Sequence, residues 1–240
     1  MSGFNLGRVP KHKVERIPEF REVLYDEARW SVLRELRNDA LRIMEALASC
    51  GLKPIVHGSV ARGDVSRGSD VDVVIPYVVQ PYLVELCLEG AGLTLMNRYV
   101  VQATPAMTPK AYVELDAHGL RTVSFPLRHL GTREWEFYRF GGLLDVEGLR
   151  AGRRVPGVNK SLVLIIPTPG GHREAPVIGY EGYVAKVLGV SVETVLERVR
   201  VLTRRDKHGR TGVFLKYVLA PNESFEEAIN KLVEAGKIRI

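Results

Sequence analysis

Two aspartates that are separated by one residue are the groups in this chain most able to do chemistry. Asp70 and Asp72 lie in a stretch that predicts a β-strand, so both carboxylates are expected on the same face of a sheet. Two negative charges held so close repel each other unless a cation neutralises them. Carboxylate oxygens suit Mg²⁺ or Mn²⁺, usually held jointly with substrate phosphates. The pair therefore predicts a divalent-cation site.

A glycine and a serine precede the aspartates at the end of a short predicted strand, residues 55–57. The backbone amides of Gly58 and Ser59, together with the serine hydroxyl, form a nest suited to phosphate. Arg62 adds a positive charge beside it, and Ser69 comes directly before the first aspartate. Either half of this pattern is common by itself, but the two halves in this order are specific. The segment predicts a site for a metal-bound nucleotide.

The segment from residue 57 to residue 75 resembles the signature of the DNA-polymerase-beta-like nucleotidyltransferase superfamily. The shared form is Gly-Ser-x-Ala-Arg-Gly followed by Ser-Asp-x-Asp, and it is most similar to the small prokaryotic and archaeal members. The resemblance implies an α+β domain with a mixed sheet. It also implies an activity that uses two Mg²⁺ (or Mn²⁺) ions and a nucleoside triphosphate such as ATP. By position it implies triphosphate binding at Gly58 and Ser59, and metal ligation with catalysis at Asp70 and Asp72. Arg62 and Ser69 are further expected nucleotide-binding residues, with a plain surface arginine as the alternative for Arg62.

The superfamily usually has a third carboxylate on a neighbouring strand. The first strand to align with that position, residues 120–127, contains no acid. Glu114, inside the preceding predicted strand, is the favoured third metal ligand and catalytic residue, because strand positions are more rigid than turns. Asp116, in the predicted hairpin turn, is the alternative. A vacant third position would leave nucleotide binding plausible and place catalysis in doubt.

The C-terminal part of the chain has helix-turn-helix character and resembles a winged helix-turn-helix domain. Two predicted helices, residues 183–188 and 192–203, flank Gly189, and Ser191 is placed to cap the second one. The expected wing lies near residues 209–212. Basic residues in this region predict contact with RNA or DNA phosphates; they are Arg198, Arg204, Arg205, Lys207 and Arg210.

Length and hydrophobic periodicity predict two domains. Residues 1–150 would form the nucleotidyltransferase domain and residues 151–240 the winged-helix-like domain, with residues 148–154 as the linker. A long helix is expected over residues 18–49. His172 is expected in a loop.

Charge and cysteine content bear on partners and location. The formal net charge of +6 is a weak pointer to polyanionic partners. Cys50 and Cys87 have no metal-ligand spacing, so they are expected to be separate, buried thiols in a cytoplasmic protein. No apolar run is long enough to cross a membrane, and no secretory signal is expected.

Two functions are compatible with these patterns. The first is an enzyme that transfers a nucleoside monophosphate from a nucleoside triphosphate to an acceptor hydroxyl on RNA, protein or a small molecule. The alternative is a catalytically inactive regulator that senses nucleotides and binds nucleic acid. The missing acid in residues 120–127 motivates the alternative.

Overall fold

Two β-sheets, each with helices packed on it, form the chain. The computed structural model describes Val14, residues 20–209 and residues 212–240. The helices in this part of the chain are α1 Glu27–Ser49, α2 Ser59–Arg62, α3 Pro81–Gly90, α4 Thr132–Gly141, α5 Val146–Arg150, α6 Glu181–Leu188, α7 Val192–His208 and α8 Phe225–Glu234. The strands are β1 Arg21–Leu24, β2 Ile55–His57, β3 Val71–Val74, β4 Asn97–Gln102, β5 Lys110–Glu114, β6 Arg121–Pro126, β7 Leu143–Asp145, β8 Gly157–Val158, β9 Val163–Thr168, β10 Gly171–Pro176 and β11 Leu215–Val218. No helix within the described ranges is both long and apolar enough to cross a bilayer.

The larger sheet has seven strands in the order β11-β4-β5-β6-β3-β2-β7. Its β3 and β6 pair in parallel and its other neighbours pair antiparallel, so the sheet is mixed. The expected α+β class with a mixed sheet is therefore confirmed.

Alternation along the strands gives this sheet one apolar face and a second, more polar face, on which Ile55 and Val74 pack against Tyr138 of α4. Val56, Val73 and Val123 lie side by side on β2, β3 and β6 and are fully buried on the apolar face. Helices α1, α3 and α8 supply much of that core. The Phe225 ring of α8 meets the Phe125 ring edge-on, with 5.8 Å between the ring centroids. This packing holds β2 and β3 rigidly, and with them the residues that leave their ends.

The smaller sheet has the order β1-β10-β9-β8, and α6 and α7 pack on it. The two expected helices are confirmed. Gly189 ends α6 in the left-handed conformation at φ 62°, and the Ser191 side chain caps α7 by accepting from the Thr194 amide. The sequence did not predict β10 or this sheet.

The long helix expected over residues 18–49 is wrong at its start. Asp26 caps α1, and the residues before it form β1, which pairs antiparallel with β10. The expectation that His172 lies in a loop is wrong for the same reason. This residue lies inside β10 and is 1% exposed. Its Nδ1 is 2.6 Å from the Tyr25 hydroxyl and its Nε2 is 3.1 Å from Glu174 Oε1. A partner strand from a distant part of the chain overrides the local pattern.

The chain crosses the expected division at residue 150 twice. Strand β1 joins the smaller sheet, whereas β11 pairs antiparallel with β4 of the larger sheet. Strand β11, which follows the expected wing, is therefore an edge strand of the larger sheet. Arg210, part of the expected wing, lies outside the described residues.

The two cysteines form a disulfide, so the expectation of separate buried thiols is wrong. Cys50 follows α1 and is exposed, whereas Cys87 is buried in α3. The bridge ties α1 to α3 across a sequence separation of 37 residues. Both helices cover the same face of the larger sheet.

Replacing Cys50 with Ser is expected to lower the free energy of unfolding by about 2–4 kcal/mol, because the bridge restricts the unfolded chain. Urea unfolding of the oxidised protein, followed by circular dichroism, measures this change. Reductant should lower the stability of the wild type by a similar amount and leave the variant unchanged. Equal stability of oxidised and reduced wild type would contradict the prediction.

Candidate active site

The turn between β2 and α2 brings Gly58 and Ser59 to the edge of the sheet. Gly58 has φ 86°, a left-handed conformation that favours glycine, and Ser59 begins the short α2. No side chain caps the start of α2. The Arg37 guanidinium of α1 donates to the carbonyls of Val60 and Ala61 at 3.1 and 3.2 Å. The turn is thus held from behind, with Gly58 and Ser59 lining a cleft on the other side.

Asp72 lies on the polar face of the sheet between two neighbouring strands. It pairs in register with His57 of β2 and Thr122 of β6, and the Thr122 hydroxyl donates to Asp72 Oδ1 at 3.0 Å. Asp70 comes just before β3, and its side chain is 43% exposed. Lys160 Nζ, from the loop between β8 and β9, lies 3.4 Å from Asp70 Oδ2. The two carboxylates therefore lie together at the edge of the sheet. Asp72 is held by a hydrogen bond, and Asp70 is open to solvent.

The electrostatics of this pair favour a bound cation. Burial raises the pKa of the Asp72 carboxyl, and the charge of Asp70 raises it further, whereas the Thr122 hydrogen bond and Lys160 act in the opposite direction. Burial lowers the pKa of His57 to about 3, so this neighbour is neutral and offers no counter-charge. Two carboxylates beside an open cleft are a donor set that fits one hard divalent cation held jointly with phosphate.

Arg62 is buried and also lines the cleft, and nucleotide binding by it stays a prediction. Its side chain is 6% exposed and forms a double ion pair with Asp64, with both N–O distances 2.9 Å. Its Nη1 also donates to the carbonyls of Gly141 and Val158 at 2.5 and 3.5 Å. Arg62 therefore joins α2 to the end of α4 and to β8, and these contacts engage the nitrogens that a phosphate would need.

Ser69 closes the loop that leads to the aspartates. Its hydroxyl accepts a hydrogen bond from the Ser66 amide at 2.9 Å, and its own amide donates to the Ser66 carbonyl at 3.0 Å. Both serines line the cleft. Nucleotide binding by Ser69 stays a prediction, beside this role in the turn.

The geometry disfavours both candidates for the third carboxylate. Glu114 pairs with Thr122 and so lies two strands from Asp72, roughly 10 Å at ordinary strand spacing. Asn97 Nδ2 donates to its Oε2 at 2.7 Å. Asp116 accepts from the amides of His118 and Arg121, which shapes the hairpin turn. Within the described ranges, no group of three or more His, Cys, Asp or Glu residues could hold a metal ion.

A cleft of about 530 Å³ contains the site. Its walls come from both sheets and their helices, and four residues that the sequence did not assign to the site stand out: His57, Phe137, Lys160 and Leu202. The size is within the range of small-molecule sites. His57 directly precedes Gly58 and belongs to the segment that the sequence singled out, whereas only the folded chain brings Phe137, Lys160 and Leu202 to the aspartates.

The basic residues expected to contact nucleic acid lie in two different environments. Arg198 and Arg205 line the cleft, whereas Arg204 and Lys207 are exposed on other faces of α7. Arg210 lies outside the described residues. Nucleic-acid binding by this helix stays a prediction, but two of its residues face the candidate active site.

Part of the chain is similar to a known protein family. Residues 37–103 match a family model described as a nucleotidyltransferase domain. The matched segment runs from within α1 to just beyond β4 and includes Gly58, Ser59, Asp70 and Asp72. No curated protein matches the chain. The family match supports a transferase that uses a nucleotide, and it does not extend to α6 and α7.

Replacing Arg62 with Met is expected to lower the free energy of unfolding by about 3–5 kcal/mol, because Asp64 would remain buried without its partner. Chemical denaturation measures this loss. A second replacement, Asp64→Leu, should restore much of the stability in the double variant. A single variant as stable as the wild type would contradict the structural role.

Replacing Asp72 with Asn is expected to raise the free energy of unfolding at neutral pH in metal-free buffer. The change removes a buried charge beside Asp70 and keeps an acceptor for Thr122. Thermal unfolding in the presence of a chelator measures the effect, with Asp70→Asn as the matched control on a more exposed carboxylate. A clear loss of stability in the Asp72 variant would show that the buried charge is not destabilising.

Proposed function

We propose that the protein transfers a nucleoside monophosphate from a nucleoside triphosphate to an acceptor hydroxyl. The observation that carries this proposal is the meeting of the Gly58–Ser59 turn with Asp70 and Asp72 in one cleft. The nucleotidyltransferase family match covers the same residues. A phosphate-binding turn and a pair of metal-ligating carboxylates are the parts that nucleotidyl transfer requires.

The two aspartates would hold one Mg²⁺ or Mn²⁺ together with the triphosphate. When bound, the ion would supply positive charge that stabilises the negative charge developing on the leaving pyrophosphate. A second ion would need a further ligand set. Because Glu114 and Asp116 are engaged elsewhere, our proposal requires only one ion at the aspartate pair.

The chain's own residues would orient the substrate. The Ser59 hydroxyl and the amides at the start of α2 would donate to the triphosphate. The Lys160 ammonium, now beside Asp70, could move to a phosphate oxygen, because its side chain is 75% exposed and its ion pair is weak. The acceptor oxygen would then bond to the α-phosphorus as the bond to the pyrophosphate oxygen breaks and the hydroxyl proton is released.

A second function is favoured by one specific observation. Thr122, a neutral residue, is the neighbour that hydrogen-bonds Asp72 from β6, the strand on which the related superfamily would place its third acid. A domain with this substitution could bind a metal-bound nucleotide and perform no transfer. The rival is therefore a nucleotide-sensing regulator.

Incubation with each labelled nucleoside triphosphate, Mg²⁺ or Mn²⁺, and mixed cellular RNA and protein tests the proposal. Label is expected on a macromolecule, and transfer should fall at least a hundredfold in Asp70→Asn and Asp72→Asn, since a lost charge-stabilising group typically costs about 10²–10³ in rate. Glu89→Gln, an exposed carboxylate of α3 away from the cleft, is the matched control and should retain full activity. The labelled fraction identifies the acceptor class.

Two other results would decide against transfer. Metal-dependent nucleotide binding without transfer to any acceptor in the mixture, including added small-molecule alcohols, would support the regulator. Absence of metal-dependent nucleotide binding would overturn both functions. Calorimetry with a non-hydrolysable triphosphate analogue separates these cases.

A further inference from the structure

One face of α7 forms part of the wall of the cleft that contains the aspartates. Arg198, Leu202, Arg205 and Asp206 all line it, and their spacing of four, seven and eight residues from the first places them on the same side of a helix. They extend along roughly 12 Å of helix axis. The helix that the sequence assigned to nucleic acid thus presents one side to the nucleotide cleft.

Arg198 has an unusual environment for an arginine beside a cleft. Its guanidinium carbon lies 4.9 Å from the centre of the Phe137 ring, and Phe137 also lines the cleft. Its Nε is enclosed and has no hydrogen-bond partner among the described residues. Burial lowers the pKa of Arg198 to about 10, with a further contribution from the charge of Arg205. The guanidinium therefore lies over an aromatic ring, in a setting where burial without a hydrogen-bond partner for Nε carries a cost.

The position of this stack is fixed by the residue next to Phe137. The Glu136 carboxylate accepts from the Ser191 amide at 3.1 Å and from the Ser191 hydroxyl at 2.6 Å, and it also accepts from the Thr194 hydroxyl. These contacts join the start of α7 to α4. Because Thr194 is one helical turn before Arg198, they also set where the guanidinium meets the ring.

We propose that Arg198, stacked on Phe137, is the platform on which the base of the bound nucleotide stacks. This inference rests on the proposed function, since it assigns a role to the wall of the same cleft. A guanidinium plane with one face on an aromatic ring can offer its other face to a base, and such stacking tolerates any base. Ser59, and a metal ion held by Asp70 and Asp72 in the same cleft, would take the phosphates. The expected order of the stack is Phe137, Arg198, base.

The test compares ligands with and without a base. Calorimetry in the presence of Mg²⁺ would measure the dissociation constants of a non-hydrolysable nucleoside triphosphate analogue and of inorganic triphosphate. In Arg198→Lys, which keeps the charge and loses the plane, the analogue should bind about tenfold more weakly. Inorganic triphosphate should change less than twofold. Arg200→Lys, an exposed position on the same helix, is the matched control and should behave as the wild type.

A second variant removes the other half of the platform. Phe137→Leu should weaken binding of the analogue by a similar factor and leave binding of inorganic triphosphate unchanged. Thermal unfolding confirms that each variant is folded.

Equal weakening of the binding of both ligands in Arg198→Lys would show a phosphate contact, and no change in either would show a structural arginine. Each of these results overturns the platform. If the wild type binds no analogue while remaining folded, the proposed function fails as well. If the wild type binds the analogue in a metal-dependent way and Asp72→Asn loses this binding, a negative result for Arg198→Lys overturns only the platform and leaves the proposed function standing.

Discussion

The buried ion pair between Arg62 and Asp64 is the interaction on which the cleft depends. Arg62 reaches from α2 to the carbonyls of Gly141 and Val158, so one guanidinium connects the Gly58–Ser59 turn to α4 and to the smaller sheet. A buried charge of this kind persists only when its partners are complete. The wall that faces the aspartates is therefore held at a fixed position relative to them.

Close backbone approach makes these contacts possible. A Cβ atom at Gly157 would lie 2.7 Å from backbone atoms of Gly141 and Gly142, and one at Gly141 would lie 2.2 Å from the His57 ring. Larger residues would separate β8 and α4 from the site. Glycine at these positions lets the two sheets approach until Lys160 reaches Asp70. The candidate active site is thus built by both halves of the chain, although only one half carries the family match.

Charged residues of both signs line the cleft. The carboxylate of Asp70 lies beside the Lys160 ammonium, and Arg198, Arg205 and Asp206 lie on one side of α7. The proposed nucleoside triphosphate with its metal ion would use both groups, because its phosphates and its base require different surroundings.

The sequence by itself determined the local parts of this protein: the Gly58–Ser59 turn, the spaced aspartates, and helices with clear periodicity such as α6 and α7. These follow from neighbouring residues, since strand alternation and helical spacing are short-range properties. Tertiary structure alone decided which strands pair, as with β1 on β10 and β11 on β4, and it alone showed that Arg62 is buried and that Arg198 faces the cleft. Long-range pairing depends on hydrogen-bond partners more than a hundred residues away, and no local pattern encodes them.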